Sequence, residues 1–220
     1  LTISYNNLVD WHIQVDVDRV TFVFNRTEPA SIVEIHRIAR DSVDKLRNEA
    51  FERIVGKRPS PNLPALDNAL IETISSWKRN LSAEMDYAVS NEALSALFNS
   101  IIFVRAAEDH HRRFQPSGLE RSRLYSSQAL LDSWHEGYDT LQSIIISNIE
   151  RFITGEIPEY LIDRSLLSTF DGLDRQTVRA LLSDFYRNRY APYEYDFSVM
   201  SKHALSRIYE HYVSILRLEE

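Results

Sequence analysis

The feature that most constrains the fold of this chain is one long, largely apolar stretch from Ser90 to Phe114. Ser90 is a residue type that caps helices, and Glu92 places negative charge in the first turn, where the helix dipole favours it. The apolar residues that follow cover most of the helix circumference: Leu94, Leu97, Phe98, Ile101, Ile102, Phe103 and Val104. Because a helix that is apolar on nearly all sides is usually buried, we expect this stretch to be the central helix of a mostly helical domain.

The end of this stretch turns polar at Arg105 and continues through Glu108 and Asp109 to two histidines and two arginines. Pro116 and Gly118 then stop the helix. Adjacent histidines on a helix point about 100° apart and rarely bind one metal ion together. A solvent-exposed helix end is therefore the better interpretation of the Glu-Asp-His-His sequence.

Arginines near this helix end form a local basic segment. They suit the helix dipole, and they can also contact phosphates. The candidate contacts to DNA phosphates are Arg112, Arg113, Arg121 and Arg123.

Length and composition limit the possible domain organisation, chemistry and partners of the chain. With 220 residues and 44% hydrophobic content, the chain can bury a sizeable core as one large domain or two small ones. The absence of Cys excludes disulfide and thiolate chemistry and fits a cytoplasmic location. No apolar run of about 18 residues and no signal-peptide pattern exists, so no membrane partner is expected. The chain starts at Leu1 rather than Met, which suggests a fragment. Because the formal net charge is −7, any DNA contact should be local or shared with other domains.

The β structure is predicted near the N-terminus. Trp11–Val15 and Arg19–Asn25 alternate and are rich in β-branched and aromatic residues, so they predict two strands joined by a turn. Residues 31–40 are ambiguous, because their pattern combines capping-box spacing with residues that favour a strand. A strand that leads into a helix over 41–55 is the favoured interpretation.

A proline-rich stretch over residues 56–64 is the best linker candidate. It divides the chain into residues 1–58, a β-containing part or the end of a preceding domain, and residues 65–220, a helical domain.

Apolar residues at helical spacing predict helices through the rest of the chain. Besides the central helix, these span Asp67–Met85, Ala129–Tyr138, Thr140–Phe152, Asp174–Tyr186 and Lys202 to about Leu216. Residues 158–167 are predicted to be short and irregular or helical, and the aromatic segment Tyr190–Phe197 to be extended. The predicted fold class is therefore mainly α, a multi-helix domain with a short N-terminal β-hairpin or strand element.

Several catalytic motifs are absent from the sequence. The five glycines are too far apart for the Gly-x-Gly and Walker loops, in which the backbone approaches a phosphate. No Pro-Pro dipeptide occurs, which excludes the Asn/Asp-Pro-Pro-Tyr loop of amino-methyltransferases. No carboxylate stands two positions before a Lys, which excludes the Glu-x-Lys element of the common restriction nuclease core. We therefore expect neither catalytic residues nor a cofactor or metal site in this chain.

Three segments together resemble a known type of protein. They are Leu97–Asp109, an apolar helix ending in Arg and Glu-Asp, Tyr195–Val199, with the sequence Tyr-Asp-Phe-Ser-Val, and Leu205–Tyr212, which contains Ile-Tyr-Glu. They are similar to the helical connector of bacterial type IIG and related restriction–modification proteins, which fuse an endonuclease to an adenine-N6 DNA methyltransferase. In this comparison the hairpin over Trp11–Asn25 looks like the end of the preceding domain.

The resemblance implies a spacer that positions the nuclease and the methyltransferase of one chain. Weak, non-specific contact with DNA is what we expect of the four arginines named above. For the parent protein it implies enzymatic activity with S-adenosylmethionine and Mg²⁺. It places the methyltransferase shortly after the last helix, whose apolar residues share a face. We hypothesise that this face docks on the methyltransferase through Leu205, Ile208, Tyr209 and Tyr212.

Two alternatives stay open, a stand-alone helical protein–protein interaction module and a small enzyme with a helical active site. An Asn-Pro-Pro-Tyr motif encoded downstream would favour the connector.

The missing motifs generate a first prediction. The purified chain should transfer no methyl group from labelled S-adenosylmethionine to DNA, and it should leave plasmid DNA uncut in Mg²⁺. A matched reaction with an adenine methyltransferase serves as the positive control. Methyl incorporation above the protein-free background would contradict the prediction.

Overall fold

The computed structural model describes residues 5, 9–28, 30–37, 52–54, 56–85, 89–114, 128–135, 137–152, 163–200 and 202–217. The architecture is mainly α with a small antiparallel sheet near the N-terminus, which confirms the predicted fold class. The strands are β1 (Trp11–Val15), β2 (Arg19–Phe24) and β3 (Ser31–Arg37). The helices are α1 (Leu66–Glu84), α2 (Asn91–Phe114), α3 (Ala129–His135), α4 (Leu141–Phe152), α5 (Arg164–Leu167), α6 (Arg175–Asp184) and α7 (Lys202–Arg217).

The sheet has three strands in the order β1-β2-β3, and both pairings are antiparallel. The two predicted strands are confirmed. The ambiguous segment after residue 30 is a strand as far as Arg37, and a register shift between Phe22 and Val23 accompanies its pairing with β2. The helix predicted over 41–55 falls mostly outside the described residues, although 52–54 are helical.

One face of the sheet builds a small apolar cluster of its own. Val20 and Phe22 from β2 pack with Ile54, and Trp11 and Val33 lie partly buried beside them. The helical residues 52–54 thus cover the face that the strand alternation made apolar.

Helix α2 is the central helix, as predicted. Its first turn is capped by Ser90, whose Oγ accepts a hydrogen bond of 3.1 Å from the backbone N–H of Ala93. Its apolar positions are fully buried at Leu94, Leu97, Phe98, Ile101 and Val104. They pack in one large cluster with residues of α1, α4 and α6.

One predicted boundary is wrong for a local reason. Helix α3 ends at His135 instead of Tyr138, because Gly137 adopts a φ of 97° that continues no helix. In 158–167 the described helical residues are Arg164–Leu167, which are capped by Asp163.

The segment Tyr190–Phe197 is bent rather than extended. Its one isolated bridge joins Arg187 to Glu194, and the backbone N–H of Tyr195 donates to the carbonyl of Tyr186 over 3.2 Å. The segment therefore folds back on the end of α6 instead of running away from it.

The start of α1 joins the N-terminal part to the helices. Tyr5 is 1% exposed and belongs to the large helical cluster. Its hydroxyl donates to the carbonyl of Pro64 over 3.0 Å, and its ring lies 4.7 Å from that of Tyr193. Arg26 donates to the same carbonyl over 3.0 Å. The described contacts thus cross the predicted division between residues 58 and 65, and the division into two domains stays a prediction.

The last helix, α7, packs on α1. Ile208 is 2% exposed and lies in the large cluster. Beside it, Arg207 forms an ion pair of 2.8 Å with Asp67, whose side chain is only 2% exposed. Asp67 is buried in the first turn of α1, so this ion pair balances its charge.

The Asp67 ion pair generates a second prediction. Arg207→Ala would leave the buried carboxylate without its cation and should lower the free energy of unfolding by about 1–3 kcal/mol. Arg164→Ala is the matched control, because Arg164 pairs with Glu150 where both side chains are more than half exposed. That change should cost about 0–1 kcal/mol. Urea denaturation followed by circular dichroism measures both, and equal losses would refute the role given to Asp67.

Candidate functional site

The most highly organised polar group in the described chain surrounds Arg105, which is only 2% exposed. Its Nη1 donates to Glu108 Oε2 over 2.7 Å, and its Nη2 donates to Asp109 Oδ2 over 2.8 Å. Residues three and four positions apart lie on the same side of a helix, so α2 alone brings the three side chains together.

The guanidinium also reaches two distant backbone carbonyls. Nε donates to the carbonyl of Phe185 over 3.1 Å, and Nη2 donates to that of Tyr195 over 3.3 Å. The carbon at the centre of the guanidinium lies 3.9 Å from the ring centroid of Tyr186, in a cation–π contact. Arg105 therefore fixes α2 against the end of α6 and against the bent segment that follows it.

The two carboxylates have further partners. Glu108 accepts hydrogen bonds from the Tyr186 hydroxyl and from the backbone N–H of Ala129, each 2.9 Å long. Asp109 Oδ2 accepts from the backbone N–H of Phe197 over 2.9 Å. The Tyr186 hydroxyl in turn accepts from the backbone N–H of Leu130 over 3.1 Å. Glu108 and Tyr186 thus bind the otherwise unpaired N–H groups at the start of α3.

We call Arg105, Glu108, Asp109 and Tyr186 the Arg105 centre. Burial opposes the charge of Arg105, but the carboxylates of Asp109 and Glu108 outweigh it and raise the pKa of the guanidinium above its usual value. Burial raises the pKa of Tyr186, and the negative charge of Glu108 raises it further. The arginine therefore stays charged and the phenol stays protonated at physiological pH. A buried group whose arginine stays charged and whose phenol stays protonated suits a structural clamp better than proton transfer.

A second polar group lies at the end of α6. Trp77 Nε1 donates to Asp184 Oδ2 over 2.7 Å, and Asp184 also pairs with Arg189. The Arg189 guanidinium lies 5.6 Å from the ring centroid of Trp77. These contacts join the middle of α1 to the end of α6.

The expectation of a solvent-exposed helix end at Glu108 and Asp109 is wrong. Their side chains are 1% and 0% exposed, because they turn inward to pair with Arg105. His110, the next residue, is exposed as expected.

The candidate DNA contacts cannot be placed in the same way. Arg112 and Arg113 belong to the backbone of α2, but their side chains lie outside the described residues, and so do Arg121 and Arg123. The prediction for these four arginines stays a prediction.

The proposed docking face on α7 is divided by the fold. Ile208 is buried in the protein's own core, and Leu205 packs partly buried against it. Tyr209 is 52% exposed. The side chain of Tyr212 lies outside the described residues. Docking through this face stays a prediction, and among the described members Tyr209 offers the most surface.

Sequence reasoning missed one further feature, a cavity of about 200 Å³ beside the Arg105 centre. It lies between α3 and α6 and is lined by Gln128, Leu131, Asp132, Arg179, Ser183, Tyr186 and Arg187. The sequence signal was the spacing of Arg179, Ser183 and Arg187 on the polar side of the α6 pattern.

Comparisons of the chain with protein-family models, with curated proteins and with solved structures found no match. Within the described residues, no helix has the length and apolar character needed to cross a membrane. Nor does the described part of the chain bring together three or more His, Cys, Asp or Glu side chains that could hold a metal ion.

The Arg105 centre generates a third prediction. Arg105→Met would leave two buried carboxylates without a cation and should lower the free energy of unfolding by about 3–5 kcal/mol. Uncompensated carboxylates take up protons in the folded state at higher pH than in the unfolded state. The variant's deficit relative to wild type should therefore shrink as the pH falls from about 8 toward about 5.

Urea denaturation over this pH range measures the effect. Tyr186→Phe is a milder companion variant, because it removes the hydroxyl that donates to Glu108 and accepts from Leu130, and it keeps the charges. Its deficit should be smaller and should depend less on pH, because Arg105 still neutralises the carboxylates. A deficit for Arg105→Met that is the same at all pH values would contradict the electrostatic explanation.

Proposed function

We propose that this chain is the helical connector of a DNA restriction–modification protein, and that it positions a nuclease and an adenine methyltransferase relative to each other. One observation carries the proposal: two segments with the family resemblance, Leu97–Asp109 and Tyr195–Val199, meet at the Arg105 centre. Asp109 accepts a hydrogen bond from the backbone N–H of Phe197, 88 positions away. Arg105 reaches the carbonyl of Tyr195, 90 positions away.

The contacts give these residue types a physical role. Arg supplies donors for carboxylates and carbonyls together, which Lys could not match. Glu and Asp follow at the spacings that a helix requires. The Tyr-Asp-Phe segment presents the carbonyl of Tyr195 to Arg105 and the N–H of Phe197 to Asp109. The residues that carry the resemblance thus contact one another. This supports an architecture shared with the connector family rather than a chance similarity of sequence.

A connector also needs stiffness, since it transmits position from one domain to the next. The Arg105 centre joins α2, the start of α3, the end of α6 and the bent segment before α7 through buried, charged hydrogen bonds. Such bonds are stronger than neutral ones and are costly to break singly. We infer that the connector acts as a rigid spacer and that catalysis belongs to its neighbours, with S-adenosylmethionine and Mg²⁺ bound there.

The alternative is a stand-alone protein–protein interaction module. Exposed apolar side chains on the sheet favour it, namely Ile13, Val15 and Ile32 at 45%, 67% and 63% exposure. The coding sequence that follows Glu220 discriminates between the two. The connector requires an Asn-Pro-Pro-Tyr or Asp-Pro-Pro-Tyr motif downstream, and a module does not.

The exposed position on α7 generates a fourth prediction, for the parent protein. Tyr209→Ala and Tyr212→Ala should lower the methylation rate several-fold, because the methyltransferase would lose part of the surface that holds its orientation. Tyr209→Ala should change the free energy of unfolding of the isolated chain by no more than about 0.5 kcal/mol, as for most surface substitutions.

Two controls separate docking from folding. Ile208→Ala should destabilise the isolated chain by about 2–5 kcal/mol, because Ile208 is a core residue. Tyr190→Ala, at a 38% exposed tyrosine of the bent segment, should leave methylation unchanged. If Tyr209→Ala and Tyr190→Ala give the wild-type rate, docking through Tyr209 is refuted.

A further inference from the structure

The cavity between α3 and α6 is lined by two arginines that are not neutralised by ion pairs among the described residues. Arg179 and Arg187 line it, and both side chains are exposed. Within the described part of the chain, neither arginine forms an ion pair, whereas Arg189 close by pairs with Asp184. Two guanidinium groups therefore face one concave surface.

The backbone holds these two arginines on one side of the helix. The N–H of Arg187 donates to the carbonyl of Ser183 over 3.0 Å, so the helical turn continues past the end of α6. Arg179, Ser183 and Arg187 are each four positions apart and share a face. Arg175 lies four positions earlier and is also exposed, so the row of arginines extends beyond the cavity.

The two hydroxyl groups among the lining residues donate their hydrogens elsewhere in the protein. The Ser183 hydroxyl donates to the carbonyl of Arg179 over 2.7 Å, and the Tyr186 hydroxyl donates to Glu108. Asp132 is the one carboxylate among the lining residues, and it forms no ion pair with either arginine in the described structure. The lining residues therefore carry one net positive charge in a chain whose formal net charge is −7.

We propose that this cavity binds a phosphate group of a nucleic-acid backbone between Arg179 and Arg187. Guanidinium groups match the oxygens of phosphate in pairs and form strong charged hydrogen bonds with them. The linear row from Arg175 to Arg187 suits a linear polyanion better than a single small anion. Contacts of this type fix position along a strand without reading its sequence. The site goes beyond the connector role, because it needs no neighbouring domain.

The isolated chain and a fluorescein-labelled DNA duplex of arbitrary sequence test the site by fluorescence anisotropy across a salt series. The double variant Arg179→Ala/Arg187→Ala should bind at least about tenfold more weakly at low salt. The slope of log affinity against log salt should become shallower by about 0.9 for each phosphate that the protein no longer neutralises. Arg164→Ala, an exposed arginine that pairs with Glu150, is the matched control and should bind as wild type does.

Asp132→Asn gives a second, opposite readout. Removing this carboxylate should strengthen DNA binding and leave the unfolding midpoint nearly unchanged, which a general loss of structure cannot imitate.

Competition with inorganic phosphate separates a backbone site from a free-phosphate site, because the backbone site should release the duplex only at high phosphate concentration. The proposal is overturned if the wild-type chain does not bind the duplex at the lowest salt concentration. An unchanged slope in the double variant, or displacement of the duplex by stoichiometric phosphate, also overturns it.

Discussion

The pairing of Arg105 with Glu108 and Asp109 is the interaction on which the second half of the chain depends. Removing three charged groups from water is costly, and the cost is offset only where every charge has partners of good geometry. Here the partners come from four separate parts of the chain, the start of α3, the end of α6, the bent segment and α2 itself. The ion cluster therefore forms fully only when all four are in place, and it favours one arrangement of them over looser alternatives.

The local part of the fold was predictable from sequence. Apolar spacing located the helices, and alternation located the strands, because both patterns reflect contacts between near neighbours in the chain. Ser90 could be identified as a cap for the same reason. The end of α3 was not predictable to the residue, since it depends on the backbone conformation of Gly137 rather than on an apolar pattern.

The sequence predicted only part of the site. The segment from Arg105 to Asp109 stood out, but it was interpreted as a solvent-exposed helix end, because its spacing also suits one. Arg105 donates to the carbonyls of Phe185 and Tyr195, which are distant in sequence. No local sequence pattern indicates that these carbonyls lie close to Arg105. The cavity was missed for a related reason: periodicity marks the apolar side of α6, while Asp132 comes to the opposite side from another helix.

The anchoring of Tyr5 and Arg207 at α1 has a mechanical consequence. Tyr5 binds the carbonyl of Pro64, and Arg207 binds the carboxylate of Asp67, so both meet the same end of one helix. The N-terminal part and the last helix therefore share one point of attachment, although they lie at opposite ends of the described chain. A substitution that displaces the start of α1 would disturb both of them at once.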